Sequence, residues 1–446
     1  LRLGNQSEIS EDDKNNKARN TYFFLPFLLG LMGLIFVYQQ DQKCFWVLLL
    51  FFLFTGLSMK IYLNERPFEP RDRDFALVGS FYVFALWIGM GAYALAHKTN
   101  NFVKSKAVAP LVVVLCFLAV PLLMAFQNWD DHDRSDRYTA QSMAKSYLES
   151  IQKDVGAMIF TIGDNDTFAL WYAQEIEGYR TDVKTINTSL LATDWFIVHL
   201  KRKTYESDAI PSQMTHPRYA YGIRDYIKHE SLLDSVRWDI KDFMNWVASD
   251  HPRTKYKSLL EQAGDDPRRL PKNTQEMVFY PTNKIRVKVN KENVLKSGVV
   301  KTEDEALIEP YIDIDLPDGG MTKNQIMMLD ILANNDWERP IYFTGGSYAE
   351  SEYIWMKEYL QLEGLVYKLV PIKTPLNTNN PYIMGRLDAD LMYDIVMNWS
   401  WGNSESPDIY HDVETRKNSI SFRSNMAVSY THLRAHETLR YLVCRL

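Results

Sequence analysis

A short polar segment lies between two long apolar stretches near the start of this 446-residue chain. It holds the first group of residues that could do chemistry: Arg66, Glu69, Arg71, Asp72 and Arg73. Guanidinium groups bind phosphate through paired hydrogen bonds, so arginines at head-group level suit a phosphate-bearing lipid. The alternating charges of residues 69–74 could instead neutralise one another in a turn, since Pro67 and Pro70 disfavour a helix. We expect a mixture of structure and binding.

A second polar group directly follows a predicted buried strand: Asp164, Asn165, Asp166 and Thr167. Open α/β sheets bind ligands at the carboxyl ends of their strands. Thr193 and Asp194 follow the next strand, and the glycine-rich residues 343–347 follow a third, so three strand ends could share one edge. The alternative is that Asp164–Thr167 only turn the chain and cap the next helix. The spacing of the glycines fits neither a Walker loop nor a dinucleotide fingerprint.

A third group is a candidate for a divalent cation: Asp130, Asp131, His132 and Asp133. Consecutive residues rarely all point at one ion, so a solvated linker is the favoured interpretation. No cofactor is otherwise expected, and no metal ligand is assigned. Cys44 and Cys116 lie inside apolar stretches, and Cys444 belongs to residues 428–446, which we interpret as a non-native tail. A disulfide framework or a cysteine zinc site in the polar part of the chain is therefore excluded.

The apolar residues are concentrated in the first part of the chain, although hydrophobic residues make up only 46% of the whole. Four uncharged stretches, 21–38, 44–59, 75–96 and 107–126, are each about as long as a helix that crosses a bilayer. Membrane helices tolerate the prolines among them. We predict a polar lead-in over 1–20, a polytopic helical membrane region over 21–126, and a soluble α/β domain over 127–427.

The soluble segment alternates strand and helix patterns. Strands are predicted over 156–164 and 183–191, each followed by a helix, over 165–178 and 193–205; this order indicates a parallel α/β sheet. A helix is also predicted around 143–151, and an insertion of helix and loop over 206–274. Further strands are predicted over 284–289, 311–316, 340–346 and 365–372, with a helix over 322–335.

The distribution of lysines predicts which side of the membrane the domain occupies. The link 97–106 carries Lys98, Lys104 and Lys106 and no acid, which favours the cytoplasm. Four crossings then place the α/β domain, and the arginine segment, on the outer side.

Both ends of the chain depart from this pattern. Residues 428–446 follow no hydrophobic period, and VSYTHLRAHET resembles the translation of a sequencing adapter, so we interpret them as a non-native tail. The chain does not begin with methionine. A fragment of a longer protein is therefore expected.

Residues 66–95, 128–140, 163–183 and 414–424 together resemble a bacterial membrane family first catalogued as domain of unknown function 2723. That family is related to protein O-mannosyltransferases of the transmembrane-protein-260 type. The resemblance implies a C-type glycosyltransferase that moves a sugar from a polyprenyl-phosphate donor to a protein or glycan acceptor outside the cytoplasm. It implies a bacterial inner-membrane protein with a periplasmic domain, and no nucleic-acid partner is expected.

The resemblance implies that the acidic catalytic residue belongs to an outer loop upstream of this chain. No catalytic residue can be assigned here, and the chain without that region is expected to be inactive. The arginines of 66–73 would stabilise the departing phosphate. The alternative is a non-enzymatic α/β domain, anchored by four helices, that binds a glycan or peptide. A transporter is disfavoured because the apolar stretches lack charged residues.

Overall fold

The computed structural model describes residues 20–65, 73–105, 107–345, 354–376, 384–406, 409, 411 and 413–443. Arg66, Glu69, Arg71 and Asp72 lie outside these ranges. The chain divides into two compact units, Leu1–Asp136 and Arg137–Leu446.

Among its described residues, the first unit contains four helices that are long and apolar enough to cross a membrane: α1 Tyr22–Gln40, α2 Gln42–Leu63, α3 Asp74–Val103 and α4 Val108–Asp130. They confirm the predicted membrane region. The observed helices are longer than predicted, and α3 includes most of the predicted link 97–106. Pro121 lies inside a π-helical turn, Leu118–Leu122, which accommodates the backbone group that proline cannot bond.

Glycines allow α1 and α3 to approach closely. A Cβ on Gly33 would lie 1.7 Å from the carbonyl oxygen of Trp87, and one on Gly91 would lie 2.0 Å from that of Leu29. Small residues at such crossings let two membrane helices make backbone contact. Larger side chains at these two positions would force the helices apart.

The second unit combines helices and strands. Its helices are α5 Thr139–Glu149, α6 Asp164–Glu175, α7 Asp194–Leu200, α8 His216–Tyr219, α9 Ile240–Ala248, α10 Tyr256–Ala263, α11 Lys272–Gln275, α12 Lys291–Lys296, α13 Lys323–Asn335, α14 Ala389–Met397 and α15 Val413–Val443. Its strands are β1 Met158–Thr161, β2 Lys184–Asn187, β3 Tyr226–His229, β4 Trp238–Asp239, β5 Phe279–Tyr280, β6 Lys284–Lys288, β7 Tyr311–Asp315, β8 Gly320–Thr322, β9 Ile341–Phe343, β10 Leu360–Glu363, β11 Val366–Leu369 and β12 Arg386–Leu387. This mixture confirms the predicted fold class.

The main sheet has six strands in the order β12-β10-β11-β9-β1-β2. Both β2 and β9 run parallel to β1, whereas β11 is antiparallel to β9 and to β10. The parallel pairing predicted from the first two strand–helix pairs is present in β9-β1-β2. In the other half of the sheet β12 is parallel to β10, and β11 is antiparallel to both of its neighbours. The reason is that β10 and β11 are joined by a tight turn, which forces antiparallel pairing.

Two three-stranded sheets complete the unit, in the orders β5-β3-β8 and β4-β6-β7. The insertion predicted as helix and loop over 206–274 contains β3 and β4 as well as helices. The predicted strands β6 and β7 pair with each other and not with the main sheet. The helix predicted over 193–205 ends at Leu200, because Thr204 forms a bridge with Ser207.

The main sheet is buried on both faces. Met158 and Phe160 of β1 belong to one hydrophobic cluster with residues of α13, while Ile159 belongs to another with residues of α5 and α6. Successive side chains of a strand point to opposite faces, so helices cover both sides.

Helix α15 runs through the boundary at which the non-native tail is predicted to begin. Val428, the first tail residue, packs against the main core. The origin of residues 428–446 stays a prediction.

Candidate functional site

Three strand ends meet at one edge of the main sheet. Because β2 and β9 are both parallel neighbours of β1, their carboxyl ends lie side by side, as the sequence predicted. The polar residues that connect these ends form what we call the strand-end network: Thr161, Asp166, Thr167, Asn187 and Thr344.

The carboxylate of Asp166 is held by the protein itself. It accepts hydrogen bonds from the backbone N–H groups of Ile162 (3.1 Å), Gly163 (3.1 Å) and Thr167 (3.0 Å), and from the hydroxyl of Thr344. Two of these donors, Gly163 and Thr167, lie at the start of α6, where an acid also interacts favourably with the helix dipole. Asp166 therefore caps α6 and ties it to the strand end after β9.

Thr167 is fully buried and joins β1 to β2. Its hydroxyl donates to the carbonyl of Gly163 (2.6 Å) and accepts from the hydroxyl of Thr161 (2.6 Å) and the amide of Asn187 (2.8 Å). The amide oxygen of Asn187 accepts from the N–H of Leu190 (2.8 Å). Every hydrogen-bonding group of the Thr167 side chain is thus used internally.

The other predicted residues of this edge face outward. Asp164 and Asn165 are exposed in the first turn of α6. Asp194 is half-buried and accepts a hydrogen bond from the N–H of Trp195 (2.8 Å) at the start of α7. This geometry favours the capping interpretation for Asp166, Thr167 and Asp194. It leaves Asn165 as a predicted residue that lies beside a cavity and whose side chain has no hydrogen bond with the described part of the chain.

In the arginine segment, Glu65 and Arg73 lie within the described residues. Glu65 forms an ion pair with Lys60 at the end of α2. The hydrogen bond from Lys60 lowers the pKa of Glu65, and the backbone and charge of Arg73 act in the same direction. Glu65 is therefore neutralised mainly by a lysine of the preceding helix. Phosphate binding by Arg73 and its neighbours stays a prediction.

Of the candidate cation ligands after α4, His132 and Asp133 bond to nearby backbone groups. His132 shares a hydrogen bond with the carbonyl of Asn128 (2.9 Å), and Asp133 accepts from the N–H of Ser135 (2.9 Å). Bonding from the Ser135 hydroxyl and backbone lowers the pKa of Asp133. Within the described ranges, no three His, Cys, Asp or Glu residues are placed to hold a metal ion.

A further candidate site is a cleft of about 580 Å³ in the second unit, which we call the arginine cleft. It lies between α5, the first turn of α6, the loop 399–406 and the first turns of α15. The residues that define it are Arg137, Asn165, Trp401, His411, Arg416 and Arg423. No aspartate or glutamate is among its described lining residues.

Hydrogen bonds fix two of the three arginines. Arg137 donates to the hydroxyl of Thr415 (2.7 Å), and the Nε of Arg416 donates to the carbonyl of His411 (2.9 Å). Arg423 is exposed and has no hydrogen bond or ion pair with the described residues. Both ring nitrogens of His411 are buried and lack a hydrogen-bond partner in the described part of the chain. The cleft therefore offers donors that no described group of the protein saturates.

Aromatic side chains support one wall of the cleft. Trp399, Trp401 and Phe422 form edge or tilted contacts with ring centroids 5.0–6.1 Å apart. Trp401 is 42% exposed, whereas Trp399 and Phe422 are buried. Gly402 brings this wall against α5, because a Cβ there would lie 2.4 Å from the carbonyl oxygen of Tyr138. Its φ of 58° also favours glycine.

A second cavity, of about 300 Å³, contains a buried ion pair. The Nζ of Lys368 lies 3.2 Å from the carboxylate of Glu363, which also accepts from Gln361 (2.8 Å) and from the hydroxyl of Tyr342 (3.3 Å). Burial raises the pKa of Tyr342 well above its ordinary value. Because these charged groups satisfy one another, the cavity is best explained as an internal polar network.

Sequence reasoning did not assign the arginine cleft. Three segments that carry the family resemblance, 128–140, 163–183 and 414–424, each contribute residues to it. Their joint presence was a signal that these segments meet, although neither spacing nor periodicity shows where.

The matched region of the chain lies in the second unit. A family model described as TMEM260-associated domain 2 matches residues 140–391, more than half of the chain. Protein O-mannosyl-transferase TMEM260 of Mus musculus is 26% identical over 123 residues, which are 27% of this chain and 17% of the mouse protein. The chain thus aligns with less than a fifth of that relative. No solved structure matches the chain.

Proposed function

Because the chain belongs to the family defined by TMEM260-associated domain 2, we propose that it forms part of an integral-membrane glycosyltransferase. The sugar, mannose by analogy with the name of the mouse relative, would pass from a polyprenyl-phosphate donor to a protein or glycan acceptor. The single observation that carries the proposal is the family match in a chain that also has four apolar helices. A membrane-embedded enzyme is suited to a lipid-linked donor, because that donor is held in the bilayer.

The reaction requires a base that accepts a proton and positive groups that stabilise the leaving phosphate. The acceptor hydroxyl attacks the anomeric carbon and gives its proton to a base, while the bond from that carbon to the phosphate oxygen breaks and the phosphate leaves with the electron pair. Positive groups stabilise the leaving phosphate. Arg66, Arg71 and Arg73, between α2 and α3, are proposed for that role, and the base is proposed to precede Leu1.

Two observations support a location: the family resemblance of the sequence, and the lysines of the link 97–106, which favour the cytoplasm for that link. We propose that the protein is of the bacterial family catalogued as domain of unknown function 2723 and lies in the inner membrane. The α/β unit would be periplasmic, on the side where the acceptor is available.

The test is sugar transfer by the full-length protein, including the residues upstream of this chain, reconstituted in liposomes. Radiolabelled polyprenyl-phosphate mannose and a candidate acceptor peptide are supplied, and label on the peptide is measured. Transfer is expected for the wild type and should fall steeply in a variant with Arg66, Arg71 and Arg73 all replaced by glutamine. Arg269→Gln, an exposed substitution in the second unit, is the matched control.

The outcomes separate the two parts of this proposal. Unchanged transfer by the well-expressed triple variant would remove the arginines from the mechanism but keep the transferase. Absence of transfer by the wild type across lipid-linked sugars and acceptors would refute the transferase.

A second candidate is a membrane-anchored α/β domain that binds a glycan or peptide without transferring sugar. The arginine cleft favours it, because the cleft lies wholly within the unit Arg137–Leu446 and combines charged, polar and aromatic groups. Binding of a sugar by the wild-type protein without transfer would support this candidate.

A further inference from the structure

The arginine cleft concentrates positive charge that no described carboxylate in its lining offsets. Arg416 and Arg423 are seven residues apart on α15, which places them on the same helix face about 10 Å apart along the axis. Of these two, Arg416 uses only its Nε, and Arg423 has no polar partner among the described residues. Their remaining N–H groups are available to an anion.

Exposed arginines alone are ordinary, since most are solvated at protein surfaces. Two further features make this cleft unusual. His411 is half-buried in its wall, and both of its ring nitrogens are buried without a hydrogen-bond partner among the described residues, whereas buried polar atoms are nearly always hydrogen-bonded. The volume of 580 Å³ also lies within the range of small-molecule sites, about 300–1,000 Å³.

The indole of Trp401 defines a second requirement for the ligand. It is half exposed at the cleft and contacts Phe422 at a centroid distance of 5.9 Å. The face of an aromatic ring carries negative charge density, so it attracts weakly positive C–H groups such as those on one face of a sugar ring. The exposed amide of Asn165 can then hydrogen-bond to a sugar hydroxyl.

We infer that the arginine cleft binds a phosphate-bearing sugar, with the phosphate at Arg416 and Arg423 and the sugar ring on Trp401. This inference rests on the second proposed function, glycan binding, and names its ligand class. The same chemistry occurs in a free sugar phosphate and in the head group of a lipid-linked sugar.

The test measures binding to the full chain in detergent by isothermal titration calorimetry, without acceptor. The probes are inorganic phosphate, mannose, mannose 1-phosphate and a short-chain polyprenyl-phosphate mannose. Mannose 1-phosphate should bind at least tenfold more tightly than phosphate or mannose alone. If the lipid-linked probe binds with the same affinity as mannose 1-phosphate, the ligand is a free sugar phosphate. If it binds at least tenfold more tightly than mannose 1-phosphate, the ligand is the lipid head group.

Variants test which residues bind the phosphate and which bind the sugar ring. The double variant Arg416→Gln, Arg423→Gln should bind mannose 1-phosphate at least tenfold more weakly, which is a loss of about 1.4 kcal/mol of binding free energy. Trp401→Leu should lower the affinity for mannose 1-phosphate and leave the affinity for inorganic phosphate unchanged. Arg269→Gln should bind like the wild type. Circular dichroism checks that each variant is folded.

Wild-type affinity in the folded double variant overturns the inference, as does the absence of binding to the wild type. Equal affinity for phosphate and mannose 1-phosphate overturns the role of the sugar ring. The calorimetry contains no acceptor, so it measures binding independently of transfer. A protein that binds mannose 1-phosphate here but transfers no sugar in the liposome assay refutes the transferase alone. A protein that transfers sugar but does not bind in the cleft refutes only this inference.

Discussion

Replacing Asp166 by alanine tests whether the strand-end network is structural. The substitution removes the acceptor for three backbone N–H groups and for the hydroxyl of Thr344. Loss of an N-terminal cap costs about 1 kcal/mol, and loss of a further charge-assisted hydrogen bond costs about 1.5–3 kcal/mol. We expect local destabilisation of about 2–4 kcal/mol, since water at the sheet edge replaces some of the lost bonds.

Hydrogen–deuterium exchange of the full chain in detergent micelles measures this effect directly. Peptides that cover β1 and α6 should exchange roughly 30- to 1,000-fold faster in Asp166→Ala, the factor that about 2–4 kcal/mol implies at 1.4 kcal/mol per tenfold. Asp164→Ala is the matched control, because Asp164 is exposed in the same turn and has no hydrogen bond among the described residues. It should cost less than about 1 kcal/mol, the usual value of a helix-dipole interaction.

One result would refute this reasoning. If Asp166→Ala exchanged like the wild type but abolished mannose 1-phosphate binding, the carboxylate would be a ligand-binding group and its bonds to the backbone would be incidental.

Three further predictions concern other parts of the second unit. Gly402→Ala should weaken mannose 1-phosphate binding in calorimetry and lower the melting temperature, because its Cβ overlaps the neighbouring backbone oxygen and its φ is positive. Lys368→Met should destabilise the unit by about 3–5 kcal/mol in urea unfolding, since Glu363 stays buried without its partner, and adding Glu363→Gln should recover part of the loss. Hydrogen bonds from Arg286 (2.6 and 2.8 Å) lower the pKa of Asp313, so this carboxylate stabilises the fold above its unfolded pKa of about 3.9 and loses that effect as pH falls through the lower folded value. The difference in unfolding free energy between wild type and Asp313→Asn should accordingly grow from about pH 2 to a plateau above about pH 5.

The elements that the sequence predicted are those with a strong local pattern. β1, α6, β2 and β9 occur in the predicted order, because short buried apolar runs and helical spacing are local properties. The membrane helices could also be predicted from the sequence, since length and lack of charge suffice to identify them.

The missed elements depend on distant partners. β4, β5 and β12 have only two residues each, and each is held by pairing with another strand. The position of β9 between β1 and β11 likewise follows from packing of segments far apart in the chain. Local propensity is too weak to specify such strands.

The arginine cleft shows the same dependence on distant contacts. Arg137 donates to Thr415, 278 positions later, and this contact helps to place α15 beside α5. Sequence reasoning identified both segments by resemblance but had no physical basis for joining them. Residues such as Trp401 and Arg423 become candidates only when the helices are in place.

The predicted polar group at the start of α6 combines two roles that one substitution series can separate. Successive residues of a helix point about 100° apart, so Asp166 faces the strand ends while Asn165 lines the arginine cleft. Asn165→Ala should therefore leave the hydrogen exchange of α6 unchanged. It should lower the affinity for mannose 1-phosphate by about three- to tenfold, because one hydrogen bond contributes about 0.5–1.5 kcal/mol. Asp166→Ala should destabilise α6 first, with weaker binding only as a consequence. If instead Asn165→Ala accelerated exchange as much as Asp166→Ala, the first turn of α6 would act as one structural cap and would have no separate binding side chain.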